Sequence, residues 1–479
     1  MDYKFDTSVE VLKFNILKEI AKAVYAGKLD QEEKKIPLII SPGPKSKYRD
    51  SLEVERSIIC ERIKIIKGNG FENKNVIQVI PLACDHCPST GYVVTSLCRG
   101  CIGHACANIC PRKAIWIDDN HHAHIDKQKC INCGLCAKAC PYGVILNFVR
   151  PCIKACAINA ISIDKNGSAK IDDSKCVNCG ACLQKCPFGA INDVSQMVSV
   201  IETIKNNSKS VHPKKIYAIV APSIASQFIG MSVNKIAEAI VNLGFDKVVE
   251  AALGADMVAW EEGQDLVKKA ILTSSCCPAF VSYIKKFHPE IKDKISTALS
   301  PMAQIAKVIK QKNPDSIICF IGPCTAKKME IRLDSVKKYV DYALTFVELR
   351  AMIAAKNIDL VNLKGIALDD ATAFGRGFAA CGGLSNAVVE VLKEIGETKF
   401  KLCAQQCSGM KQCVDAITNL ANGKSNYNFI EGMACDGGCV NGAGSLTHNA
   451  LVSKALVGMH GKTAKEKNVA DVTKKYIDE

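Results

Sequence analysis

The order of apolar and polar positions divides the chain into three textures. Residues 1–83 are rich in Lys and Glu and carry helical periodicity, broken by SPGP at 41–44. Leu52, Val54, Ile58 and Ile59, followed by Ile63, Ile65 and Ile66, predict an amphipathic helix there. From Cys84 the periodicity gives way to short cysteine-rich units. Residues 201–215, IETIKNNSKSVHPKK, are polar and basic and read as a linker. At Ile216 the strand-like run IYAIVAP opens a region where strands and amphipathic helices alternate. Val233–Leu243 has apolar residues at 233, 236, 237, 240 and 241 and stops at Gly244; residues 247–252 read as strand again. This alternation predicts α/β architecture. The Lys-rich helical tail after Ala450 is expected to be peripheral.

Three stretches of the α/β region share one form: a short apolar strand, a cysteine, then a helical pattern. Residues 270–272 precede TSSCCP (273–278), 317–321 precede GPCTAKKME (322–330), and 427–430 precede EGMACDGGCVNGAG (431–444). In open α/β sheets such sites gather at the carboxyl ends of the strands. Helix N-termini there are expected to lower thiol pKa values and favour the metal-binding thiolate. Cys435 and Cys439, four apart, would share a face if they lay on a helix. Glycine at 437, 438, 442 and 444 points to backbone pressed against something bulky. Cys277, Cys324, Cys435 and Cys439 supply four thiolates, enough for one iron–sulfur cluster, and Cys276 is left over.

The middle of the chain is an internal repeat. Cys98-x2-Cys101-x4-Cys106-x3-Cys110-Pro is followed by Cys130-x2-Cys133-x2-Cys136-x3-Cys140-Pro, by a shortened unit Cys152-x3-Cys156, and by Cys176-x2-Cys179-x2-Cys182-x3-Cys186-Pro. The units end in similar tails, PRKAI, PYGVI, AINAI and PFGAI. Zinc sites use two separated CxxC knuckles, whereas three close cysteines plus Cys-Pro suit ferredoxin-type 4Fe–4S clusters. The cysteine before proline then ligates the neighbouring cluster. Crossed pairing joins Cys98, Cys101 and Cys106 with Cys140; Cys130, Cys133 and Cys136 with Cys110; and Cys176, Cys179 and Cys182 with Cys156. Cys152, Cys186, Cys84 and Cys87 remain and permit a fourth accessory cluster. An alternative pairs the second unit with the last directly, so the accessory count stands at about three, with two and four both open. His121, His122 and His124 read as solvated loop residues.

Of 27 cysteines, seventeen lie between Cys60 and Cys186 and none between 187 and 275. Cys60 is expected to be a small buried residue. The first residues carry acids and no long apolar core, and no run of about 18 apolar residues occurs, so neither a secretory signal nor membrane insertion is expected. A cytoplasmic setting follows, where clustered cysteines bind metal rather than pair as disulfides. The net charge of +14 counts every thiol as neutral. Four clusters at roughly −2 relative to neutral thiols would bring it to about +6. The lysines are read as a solvated surface, weighed against a patch that attracts an acidic ferredoxin; no nucleic-acid partner is expected.

The three strand–cysteine stretches resemble the signature motifs of FeFe hydrogenases, over about 216–446, in the branch with ferredoxin-type clusters upstream and no plant-type two-iron domain. That resemblance implies a fold and a division: a helical N-terminal extension (1–83), a ferredoxin-like 4Fe–4S region (84–200), a linker (201–215), a two-lobed α/β catalytic domain (216–450) and a tail (451–479). It implies reversible reduction of protons to dihydrogen. The centre would be a 4Fe–4S cube on Cys277, Cys324, Cys435 and Cys439, with the Cys439 sulfur bridging to a two-iron unit bearing carbon monoxide, cyanide and a dithiolate. Lys327 would donate to a cyanide, Met433 would pack over the two-iron unit and Ser223 would line the pocket. Cys276 would pass protons, with Glu262, Ser296 and Asp265 continuing the path. The alternative for Glu262 and Asp265 is an acidic turn with capping roles, and Ser223 is equally read as a helix cap; Lys328 is read as a surface charge and Glu330 as structural. Ferredoxin and maturation proteins are the implied partners.

The chain departs from the family pattern at Gly322, where a methionine is usual, at Met302, where a glutamine is usual, in GAGSL for GGGxP, and in the extra Cys381, Cys403, Cys407 and Cys413. The competing reading is a non-catalytic hydrogenase-like protein, an iron–sulfur assembly factor or sensor. Retention of Cys276, Glu262 and Lys327 weighs against it. A bifurcating subunit is disfavoured by the missing two-iron domain and the absence of a flavin or dinucleotide signature.

Overall fold

The computed structural model describes residues 5–68, 75–88, 90–368 and 370–477. The strands of its C-terminal half are β1 (Ile216–Val220), β2 (Lys247–Glu250), β3 (Leu272–Thr273), β4 (Ile317–Gly322), β5 (Tyr342–Thr345), β6 (Ala404–Ser408) and β7 (Phe429–Met433). They form two parallel sheets, ordered β2-β1-β4-β5 and β3-β7-β6. β1 and β7 are buried at every position, as parallel strands covered on both faces must be. The second strand is shorter than its apolar run: β2 ends at Glu250, and a helix starts at Ala251.

Five helices tie the upstream segments to these sheets or line the site: α1 (Ser8–Tyr25), α2 (Leu52–Ile66), α3 (Met197–Ser208), α4 (Ala251–Lys269) and α5 (Phe346–Ala355). α1 starts at a reciprocal cap, in which the Thr7 hydroxyl accepts from Glu10 N and the Glu10 carboxylate accepts from Thr7 N. It packs along α5 and α3. Ile16, Leu17 and Ile20 of α1 share one core with Ile201 and Ile204 of α3 and with Leu349 and Met352 of α5. Each fully buried side chain of this kind contributes about 1.5–3 kcal/mol. The N-terminal extension is therefore part of the core around the first sheet.

Two expectations fail here. The stretch 201–215 is not a free linker in its first half. It continues α3 to Ser208, because Val200, Ile201 and Ile204 fall on one buried face, and the Asn207 side chain then clamps Lys214 through its backbone N and O. Cys60 is exposed on α2, whose buried face is Ile58, Ile59, Arg62, Ile63 and Ile66.

Between these parts lies the cysteine-rich region. Its units share a short helix, at Ala105–Asn108, Leu135–Ala139, Pro151–Ala155 and Ala181–Lys185, and each helix carries one buried cysteine: Cys106, Cys136, Cys152 and Cys182. Antiparallel hairpins follow the first and third units. Strand Ile77–Val79 pairs with Ile191–Asp193, stitching the upstream segment to the end of the last unit. Among the described residues no helix is long and apolar enough to cross a membrane.

Candidate functional site

The three strand–cysteine stretches meet at the carboxyl ends of β3, β4 and β7. Cys277 and Cys324 each stand immediately before a helix, Pro278–Phe287 and Thr325–Glu330. Cys435 and Cys439 do not share a helix: Cys435 lies outside any helix and Cys439 opens a single 3-10 turn, Cys439–Asn441. They flank a tight loop in which Gly437 and Gly438 have φ of +82° and +97°. A Cβ on Gly438 would sit 2.7 Å from Cys381 N and 2.8 Å from the Met433 sulfur, so only glycine fits there. The Cys381 N–H donates to Gly437 O at 3.2 Å, so it is the backbone of Cys381 that holds this loop.

One cavity of about 90 Å³ gathers these residues. Its walls include Cys277, Cys324, Cys435 and Cys439, together with Cys276, Lys327, Ser223, Met433 and Met302. The Ser223 hydroxyl is fully buried and has no partner. Lys327, 7% exposed, reaches Glu330 at 2.6 Å. Burial pulls its ammonium down, but Glu330, Cys324 and Cys276 outweigh burial and the net shift is upward, so Lys327 stays charged. The thiols shift opposite to expectation: burial pushes Cys324 up to about 12 and also raises Cys276, Cys435 and Cys439, with neighbouring thiols adding to it. At Cys324 desolvation outweighs the short helix behind it. A bound metal would supply the positive charge that releases such protons.

The relay candidates lie behind Cys276. Glu262 is in the middle of α4 and not in an acidic turn; it is fully buried. Its Oε1 accepts from Ser275 N and Ser275 Oγ, both at 3.0 Å, while Oε2 has no hydrogen bond. Burial pushes its carboxyl up to about 7, against the opposing pull of the Ser275 hydrogen bonds and the nearby Ser296 hydroxyl. Asp265, one turn on, is partly exposed and accepts from Thr297 Oγ1 at 3.1 Å. Ser275 and Thr297 were not among the sequence candidates; their only signal was adjacency to Cys276 and Ser296. Glu431, in β7, is fully buried and accepts from Gly382 N and Ser385 N, both at 2.9 Å.

The accessory cysteines gather in quartets. Cys98, Cys101, Cys106 and Cys140 line one small cavity, and Cys110, Cys130, Cys133 and Cys136 another, in the crossed pattern. Cys176 and Cys179 feel Cys156, and burial pushes Cys179 up to about 12. Cys179 also lines the central cavity. Burial pushes Cys152 up to about 11, with Cys186, Cys87 and Cys84 adding to it, so the four remaining cysteines face one another. A single zinc holds its sulfurs about 3.8 Å apart. Among the described residues the one group of three or more potential ligands within 4.8 Å is Asp6, Glu10 and His448, with no thiol in it. The thiol quartets are thus too open for one ion, and a four-iron cube fits them better.

Lys328 is not a surface charge. It is fully buried, 2.7 Å from Asp193 and 3.0 Å from Glu348, and ties the end of the last cysteine unit to α5. His124 reaches Asp118 at 2.8 Å in the exposed hairpin.

Residues 214–443 match the iron only hydrogenase large subunit, C-terminal domain, and residues 97–144 and 150–190 match the 4Fe-4S dicluster domain. The fold is a ferredoxin-like cluster region joined to an iron-hydrogenase domain. The chain is 29% identical over 294 residues to iron hydrogenase 1 of Clostridium pasteurianum, which covers 50% of this chain and 51% of that protein. It is 28% identical over 388 residues to the periplasmic Fe hydrogenase large subunit of Nitratidesulfovibrio vulgaris, covering 68% and 87%. It is 24% identical over 307 residues to a cytosolic Fe-S cluster assembly factor of Danio rerio, covering 50% and 74%. The chain thus spans about half the length of the first of these relatives. Cys84 and Cys87 lie outside both matched domains.

Proposed function

We propose that the chain is a hydrogenase that interconverts protons and dihydrogen, with electrons carried through its accessory clusters. One observation supports this above the others. A single cavity collects four thiols from three distant motifs and also a spare thiol, a buried ammonium and an unpartnered hydroxyl. Cys277, Cys324, Cys435 and Cys439 would hold a 4Fe–4S cube, and the cavity they line would take a two-iron unit that carries carbon monoxide, cyanide and a dithiolate. When bound, that group supplies the redox metal at which two electrons and two protons combine.

The chain's own residues do the rest. Lys327, kept charged by Glu330, offers N–H donors to an anionic ligand, and the free Ser223 hydroxyl offers another. Met433 and Met302 keep the wall apolar. Cys276 holds a proton at the cavity wall. Ser275, Glu262, Ser296, Thr297 and Asp265 follow in order from the buried to the exposed end of α4. Glu262, raised to about 7, can both take and give a proton near neutral pH. Cys179, on the cavity wall, would bring the nearest accessory cluster against the cube. A ferredoxin-like carrier would feed the outer clusters, and separate maturation proteins would insert the two-iron unit.

The assembly-factor reading keeps its place because a cluster assembly protein is among the relatives. Infrared spectra of anaerobically matured protein between about 1,800 and 2,100 wavenumbers separate the two, since metal-bound carbonyl and cyanide stretch there. Bands that shift under dihydrogen are the expected result. A blank spectrum from maturation-competent cells, with accessory iron present, would replace the hydrogenase reading with the assembly one.

A further inference from the structure

The quartet Cys84, Cys87, Cys152 and Cys186 has surroundings that the other accessory quartets lack. Arg62 is 1% exposed; its Nη2 donates to Gly189 O at 2.8 Å, and its Nε and Nη1 have no partner. Gly189 in turn donates to Cys186 O, so Arg62 is fastened to the Cys186 turn. Arg150 is 5% exposed; its Nε donates to Pro88 O and its Nη2 to Cys87 O, and its Nη1 has no partner. Neither guanidinium touches a carboxylate. The Lys13 ammonium, which donates to Ile191 O, lines the same cavity as Arg62 and Cys186. The acids nearby are engaged elsewhere: Asp85 with Arg49, and Asp193 with Lys328.

A buried charge without a counter-charge costs several kcal/mol. Two such guanidiniums, with N–H groups pointing at no protein acceptor, mark the position of an anion. A four-iron cluster on four thiolates carries about −2 when oxidised and about −3 when reduced. Fixed cations favour the more negative form. The basic residues near the other quartets, Arg99, Arg112 and Lys286, are exposed and screened by water.

We propose that Arg62 and Arg150 are positioning residues that compensate an anionic cluster on Cys84, Cys87, Cys152 and Cys186, and that they make it the first accessory cluster to accept an electron. An external one-electron donor is oxidised and this cluster is reduced, with no proton required. Cys152 also faces Cys182 of the quartet next to the central cavity, so the stored electron sits one step from it. The proposal rests on the iron–sulfur reading of the quartets and not on hydrogen turnover.

The test uses the full chain produced without its two-iron unit, so hydrogenase activity plays no part. Iron and sulfide are counted, and the clusters are titrated with dithionite under paramagnetic resonance. Replacing Cys84 and Cys87 together with Ala should remove about four iron per chain and the signal of highest potential. Arg62→Gln and Arg150→Gln should each weaken reduction of that signal about tenfold, or about 59 mV for one electron, and leave the others in place; Arg62→Lys should restore most of it. If Arg62→Gln does not fold, Arg150→Gln alone decides. Full iron in the double cysteine variant, or arginine variants with full iron and an unmoved signal, would overturn the proposal.

Discussion

The two pairs of cysteine units are built on one repeat and live in different surroundings. The first pair, Cys98 to Cys140, is self-contained and rimmed by exposed apolar side chains, with Ile102 97% exposed. The second pair, Cys152 to Cys186, borrows Cys84 and Cys87 from far upstream and is pinned to the iron-hydrogenase domain. Thr325 Oγ1 donates to Asn178 O at 2.8 Å, Gln184 Nε2 donates to Asn441 O at 3.0 Å, and Lys328 bridges Asp193 and Glu348. Gly180 lies so close to this face that a Cβ would meet Ala443 Cβ at 2.4 Å. The same motif thus sits in two settings: the outer pair faces solvent, and the inner pair is fixed against the cavity.

The strongest challenge to the fixed inner pair is Lys328→Met. It would strand the buried Glu348 and the half-buried Asp193 and should cost about 3–5 kcal/mol in denaturant unfolding, whereas Lys175→Met in the outer loop of the last cysteine unit should cost almost nothing. If the two variants unfold alike, the pinning is unimportant. Next in size, Cys276→Ala should lower dihydrogen turnover about 10²-fold or more with iron content unchanged; near-normal turnover would remove Cys276 from the path. Cys98→Ala and Cys179→Ala then separate the pairs directly. The outer variant should lose turnover about tenfold with a ferredoxin donor and keep it with a small viologen dye, while the inner variant should lose both. Equal losses with both donors would erase the distinction.

The smallest effect is a slope. Below pH 4.5 Glu262 is protonated in both native and unfolded chains; between 4.5 and about 7 the unfolded chain releases a proton that the native chain keeps, so this group makes stability fall as pH rises. Asp256, buried beneath Thr372 and also raised to about 7, adds a slope of the same sign. Stability measured from pH 4 to 8 should therefore fall less steeply in Glu262→Gln than in the unaltered chain; an unchanged slope would mean that Glu262 is ionised throughout.

Much of this was legible in the sequence because parallel buried strands read as unbroken apolar runs, so β4 and β7 announce where their cysteines must emerge. Spacing also carried the crossed pairing of the outer units, since a cysteine before proline reaches only its neighbour. What spacing cannot carry is a partner that arrives through the fold. The sixteen accessory cysteines permitted a fourth quartet, but only the pairing of Ile77–Val79 with Ile191–Asp193 brings Cys84 and Cys87 to it. Lys328 was misread for a related reason. Local charge pattern places it on a surface helix, and its compensating neighbours Asp193 and Glu348 come from remote elements. The Cys435–Cys439 pair looked helical by its spacing of four, but consecutive glycines at positive φ make a loop instead.

The upstream origin of Cys84 and Cys87 sets an order in time. During synthesis these two thiols emerge about a hundred residues before Cys186. At about 5–20 residues per second they wait about 5–20 s for their partners. The fourth quartet therefore closes only after the whole cysteine-rich region has emerged and strand Ile77–Val79 has found its partner, so any iron it bound would be a record that the early chain has wrapped correctly.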